Sequence, residues 1–128
     1  PYTDKRGLFR RVYCSNELKL KKINFKIKQA NISENKDTQT LRGFHYQKFP
    51  YWEDKIITCV QGEIHNIVID MREDSKTYRK WESFRLSEEN RLGLLVPKGC
   101  ANAYLTLKKK PGFYTFILNF INPAMKKV

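Results

Sequence analysis

The chain has 128 residues, 41% of them hydrophobic and 30% charged, with a formal net charge of +12. That length fits one domain able to bury a real core, and no apolar run approaches the roughly 20 residues a membrane span needs. Cys14, Cys59 and Cys100 are odd in number and widely spaced, and neither His45 nor His65 has a Cys or second His close by, which argues against a disulfide framework and a metal centre and for a reducing, cytoplasmic setting.

In chain order the pattern is strand after strand. Ile23, Phe25 and Ile27 alternate with Asn24, Lys26 and Lys28, the period-2 signature of a half-buried strand. Ile56 to Val60 is an apolar run ending at Gln61-Gly62, and Ile64 to Met71 follows at once, which predicts a hairpin turning near Gly62. Ser87, with Glu88, Glu89 and Asn90, predicts the cap of a single short helical turn. Leu92 to Val96 runs into the turn signal Pro97-Lys98-Gly99. Ala101 to Leu107 and Phe113 to Phe120 predict another strand pair, joined by Lys108-Lys109-Lys110-Pro111-Gly112. Many short strands separated by Gly and Pro turns predict an all-β sandwich, jelly roll or barrel.

This layout explains much of the basic charge. Lys26 and Lys28 fall on the polar side of a strand, and Lys108 to Lys110 fall in a turn, where charge faces solvent. The sequence carries no recognisable nucleic-acid module, so neither nucleic acid nor membrane is the expected partner.

The densest stretch is Leu41-Arg42-Gly43-Phe44-His45-Tyr46-Gln47, with Lys55 ten residues after the histidine. Taken alone, His45 reads as a strand histidine and Lys55 as an edge charge that discourages aggregation. Their company changes that. Asp4-Lys5-Arg6-Gly7-Leu8-Phe9, Gln29-Ala30-Asn31-Ile32-Ser33, the Leu41–Gln47 stretch, Gly62-Glu63, Asp70-Met71-Arg72, Trp81, Leu86 to Asn90 and Pro97 to Ala101 occur in that order. Together they resemble the dTDP-4-dehydrorhamnose 3,5-epimerase family from Asp4 to about Pro123.

The resemblance implies a cupin or jelly-roll β-barrel as a single domain over residues 1–128, a homodimer, and no metal or organic cofactor. It also implies an isomerase that inverts carbon 3, carbon 5 or both in a nucleotide-linked 4-keto-6-deoxyhexose, in a rhamnose-type route to surface polysaccharide such as lipopolysaccharide. A hydrogen beside the C4 ketone is acidic. A base that titrates near neutrality removes it, which suits histidine. A fixed positive charge in a dry pocket holds the resulting enolate, which suits lysine. The family's base and enolate-stabilising positions are His45 and Lys55. Arg6 and Arg42 match arginines that hold the diphosphate, a role suited to the guanidinium fork. Gln29 and Asn31 match residues near the base, and Phe9 an aromatic that stacks on it. Gln47, Asn66 and Asn102 complete the expected substrate-binding set.

The chain departs from the family where the catalytic acid is expected. The family has a tyrosine on a late strand, and Thr115 occupies that position. Tyr114 is the candidate acid beside it, but neighbouring strand residues point to opposite faces, so it would serve only across a bulge. Asn102 replaces a histidine, Asn66 an aspartate, and Arg11 an acidic residue; amides keep hydrogen-bonding capacity but do not titrate. The family's first strand and its C-terminal segment, with the aspartate that orients the histidine, lie outside these 128 residues, so either this is a partial chain or the enzyme is reduced. The substitutions at Thr115, Asn102 and Asn66 leave a second reading: a sugar-nucleotide-binding or assembly protein on the same fold with impaired catalysis. A basic nucleic-acid-binding barrel is the third.

Overall fold

The computed structural model describes residues 1–109 and 114–123. Its elements run β1 (Tyr2–Asp4), β2 (Gly7–Phe9), α1 (Ser15–Leu20), β3 (Gln29–Asn35), β4 (Leu41–His45), β5 (Glu53–Gln61), β6 (Glu63–Asp70), β7 (Trp81–Ser87), β8 (Gly93–Val96), β9 (Cys100–Lys108) and β10 (Thr115–Pro123). Two antiparallel four-stranded sheets dominate, in the orders β3-β10-β5-β8 and β4-β9-β6-β7, and β1 and β2 form a small sheet of their own. The all-β class expected from the strand pattern is the one observed.

The two large sheets face each other across one core. Ile57, Cys59, Val96 and Ile117 come from the first sheet; Ile64, Leu86, Cys100 and Tyr104 come from the second. These residues define the inner faces. On β5 the odd positions point inward, and on β6 and β9 the even ones do, as the period of a strand requires. The apolar run of β5 is continuous because its other face is covered too. Ile56 packs there with Phe25 and Phe120, against Tyr13, Leu18, Ile23 and Ile27. Burial raises the Cys59 thiol to about 11, so it acts as a small apolar side chain.

Three local expectations need correction. Residues 23–27 keep the expected alternation of burial, but they form no strand. The segment crosses the outside of the first sheet, where Tyr13 donates its hydroxyl to the Phe25 carbonyl at 2.9 Å. The second correction is at Gly62, where β5 and β6 follow each other but do not pair. Gly62 has φ +85, and a Cβ there would meet the Lys108 carbonyl at 2.6 Å. The chain therefore turns a corner into the facing sheet, so Ile57 and Ile64 meet through the core and not side by side.

The expected pair of C-terminal strands is divided in the same way, with β9 in one sheet and β10 in the other. Residues 110–113, which carry most of its expected turn and Phe113, lie outside the described residues. The single helical turn expected after Ser87 is present: Arg91 N–H donates to the Ser87 carbonyl at 3.0 Å across residues 88–90. The caps are reciprocal: Asn90 N–H donates to Ser87 Oγ, and Ser87 N–H to Asn90 Oδ1, both at 3.0 Å.

Candidate active site

The stretch Leu41 to His45 becomes a strand with one irregularity that decides where its side chains go. Arg42 lies opposite Tyr104 on β9, and His45 lies opposite Asn102, with a register shift between them. Residues three apart on a regular strand point to opposite faces. The extra residue, a bulge at Gly43-Phe44, cancels that difference. Tyr104 belongs to the core and Asn102 alternates with it on the inner face, and residues directly opposite across a ladder share a face. Arg42 and His45 are therefore both inward positions. Gly43 makes this feasible. Its φ is +116, and a Cβ there would meet the Asn102 carbonyl at 2.6 Å and the Ala103 Cβ at 2.7 Å.

Lys55 belongs to the opposite wall. It shares the inward parity of Ile57 and Cys59 on β5, between Ile121 of β10 and Val96 of β8. Its side chain is 13% exposed, and its Nζ lies 3.1 Å from Oε1 of Glu53, itself 18% exposed. Glu53 was not singled out from the sequence. The signal was its spacing, since two residues before Lys55 on a strand is the same face.

His45 sits on β4, the edge strand of its sheet, and remains exposed although its position faces inward. Gln29 and Asn31 are also exposed, on the edge strand β3 of the other sheet. Their registers, Gln29 with Ile121 and Asn31 with Asn119, align them with Lys55 and Ile57 respectively. Exposed inward positions on adjoining edges mark an opening of the sandwich along the β3/β4 side. His45, Lys55, Gln29, Asn31 and Arg42 thus border one interior, with Asn102 buried beside His45.

Other expected residues are not brought there. Arg6 and Phe9 belong to the β1–β2 hairpin, outside both large sheets. Arg6 is 84% exposed and pairs with Asp4 at 2.6 Å; Phe9 is 77% exposed. Gln47 is exposed in the segment after β4. Asn66 is fully buried, and its amide is spent on backbone, with the nitrogen donating to Ala103 O at 3.3 Å and the oxygen accepting from Ile67 N–H at 3.2 Å. Tyr114 precedes β10 and contacts Phe116 edge-on at 6.2 Å, while Thr115 begins the inward series with Ile117 and is fully buried. The ring of Tyr114 is therefore on the far side of the wall from Lys55. Thr115 donates its hydroxyl to the Lys108 carbonyl at 3.4 Å, at the Gly62 end of the sandwich.

Asp70 ends β6 as a structural anchor. Arg72 donates to it from its backbone N–H (3.0 Å) and from its guanidinium (2.8 Å), and Ser75 and Thr77 donate their hydroxyls at 2.6 Å. The Arg72 guanidinium above all holds the Asp70 carboxyl well below the usual carboxylate range. A separate cavity of about 260 Å³ lies on the outside of the first sheet, lined by Tyr13, Cys14, Leu18, Ile23, Ile56 and Leu95; it contains none of the expected site residues. Among the described residues, no helix is long and apolar enough to cross a membrane.

Comparison with known proteins agrees with this architecture. The sequence matches the dTDP-4-dehydrorhamnose 3,5-epimerase family model over residues 1–127. It is 30% identical over 127 residues to the dTDP-4-dehydrorhamnose 3,5-epimerase of Shigella flexneri, covering 98% of this chain and 70% of that protein. The enzyme of the same name from Sinorhizobium fredii is 35% identical over 107 residues, which is 84% of this chain and 55% of that one. A crystal structure of the Bacillus anthracis enzyme with TDP and PPi bound superposes with a TM-score of 0.89 at 32% identity, covering 98% of this chain and 69% of that one.

Proposed function

Because this chain belongs to the dTDP-4-dehydrorhamnose 3,5-epimerase family, we propose that it acts on a nucleoside-diphosphate 4-keto-6-deoxyhexose, removing and returning a proton at carbon 3, carbon 5 or both. The fold is that of the family's cupin-type barrel. The chain spans 70% and 55% of the two relatives described above, so the reading concerns the chemistry of this portion.

What supports it is that His45 and Lys55 occupy inward positions on facing walls. A sugar lying between them would meet a base from one side. A cation on the other side, the largely buried Lys55, would meet the C4 oxygen as it becomes an enolate, and fixed charge acts more strongly there than in water. In this reading Arg42 holds the diphosphate, Gln29 and Asn31 meet the nucleotide end, and Gln47 and Asn102 line the sugar side. The exposed Arg6 and Phe9 reach a substrate only if the β1–β2 hairpin docks elsewhere. A homodimer in which that hairpin covers the partner's opening would use them, and it would bury Tyr2, Leu8 and Phe9, all exposed here. The expected setting is the cytoplasm, where Cys14, Cys59 and Cys100, all free thiols, stay reduced.

A second reading, binding without turnover, is favoured by one observation: the ring of Tyr114 lies away from the Lys55 wall, and Thr115, at the expected acid position, is buried on a backbone carbonyl. Incubation with nucleotide-linked 4-keto-6-deoxy sugars in deuterium oxide separates the two. Deuterium entering carbon 3 or carbon 5 supports the epimerase reading. Calorimetric binding with no exchange supports the second.

A further inference from the structure

We infer that Asn35 is a positioning residue for Arg42, fixing its guanidinium toward the diphosphate while leaving its charge uncancelled; this rests on the reading of Arg42 given above. Asn35 ends β3 at the corner where the chain passes into the facing sheet, and it is 2% exposed. Its amide is fully committed. Nδ2 donates to the Thr115 carbonyl at 3.2 Å and to the Ser33 carbonyl at 3.4 Å. That orientation turns Oδ1 toward the opposite wall, where it accepts from Arg42 Nε at 2.8 Å and from the Tyr104 hydroxyl at 3.5 Å. Flipping the amide would set its N–H groups against Nε, and a guanidinium has only donors. The arrangement therefore has one stable sense.

The consequence for Arg42 is specific. Nε is engaged by Asn35, and Nη2 by the Glu34 carbonyl at 3.4 Å; among the described residues Nη1 makes no hydrogen bond. A long, flexible side chain is thereby held at its neck with part of its fork unspent. A carboxylate at position 35 would hold the guanidinium as firmly but would neutralise it, and a diphosphate would then compete with that carboxylate. A neutral amide orients without competing. Fixing an arginine before the ligand arrives removes part of the ordering cost of binding.

The test is calorimetry with whichever of TDP, UDP and GDP the wild-type protein binds most tightly, on Asn35→Ala, Asn35→Asp, Arg42→Ala and the double variant Asn35→Ala/Arg42→Ala. Thermal unfolding identifies the folded variants. The inference expects Arg42→Ala to weaken binding, Asn35→Ala to weaken it by about 3- to 10-fold, Asn35→Asp by at least as much, and the double variant to bind no more weakly than Arg42→Ala alone. Weakening by Arg42→Ala with wild-type affinity in both Asn35 variants, or fully additive losses, overturns the inference and leaves the diphosphate reading standing. If no nucleoside diphosphate binds, or Arg42→Ala binds as the wild type does, both fall together.

Discussion

Arg42 and His45, three residues apart on β4, lie opposite Tyr104 and Asn102, two residues apart on β9. One strand thus delivers a guanidinium and an imidazole to the same inner face, at the cost of one bulge and a glycine with φ +116. The Leu-Arg-Gly-Phe-His order has a mechanical reason: without the extra residue either the arginine or the histidine would face solvent on the far side of the sheet.

Gly43→Ala should therefore disrupt both function and stability. The new methyl meets backbone at 2.6 and 2.7 Å in a conformation L side chains avoid, which together costs about 2 kcal/mol or more. Urea unfolding measures the loss. Wild-type stability in this variant would mean that the bulge is not the tight packing described.

Lys55→Ala should reduce solvent exchange into a nucleotide-linked 4-keto sugar on the order of 100- to 1000-fold, the usual effect of removing one donor from a developing oxyanion. Affinity for the nucleoside diphosphate alone should hold. Exchange within a few-fold of wild type would remove Lys55 from the chemistry and leave its pair with Glu53 as a structural contact.

Asp70→Asn should cost about 2 kcal/mol near neutral pH, because the buried carboxylate accepts charge-assisted bonds from Arg72 that an amide cannot replace. The Asp70 carboxyl is depressed in the folded protein, so its contribution is complete above the unfolded value of about 4 and is lost as pH falls through the folded one. The stability gap between wild type and variant should be constant from pH 5 to 8 and narrow below about pH 4. A gap that widens on acidification would contradict the assignment.

How far the sequence could be read follows from what strand periodicity encodes. Alternation identifies which residues share a face, so the all-β class was legible. Alternation does not say which strands pair. That is why Ile56–Val60 and Ile64–Met71 suggested a hairpin, whereas Gly62 sends them into facing sheets. Residues 23–27 have the burial rhythm of a strand because they lie extended on an apolar surface, and rhythm alone does not distinguish that from a ladder. His45 and Lys55 stood out through their motif. Asn35 did not, because its significance lies in a bond to Arg42 that forms only when the corner closes, whereas Glu53 shares a face with Lys55 by its spacing along one strand.

The measurement that bears most directly on the account is proton-deuterium exchange, followed by NMR, at carbons 3 and 5 of a nucleotide-linked 4-keto-6-deoxyhexose with wild type and His45→Asn side by side. The account predicts exchange with the wild type and a loss of about 100-fold or more in the variant, with nucleotide affinity retained. Equal exchange rates in the two proteins would contradict it, because the His45 imidazole would then not be the base.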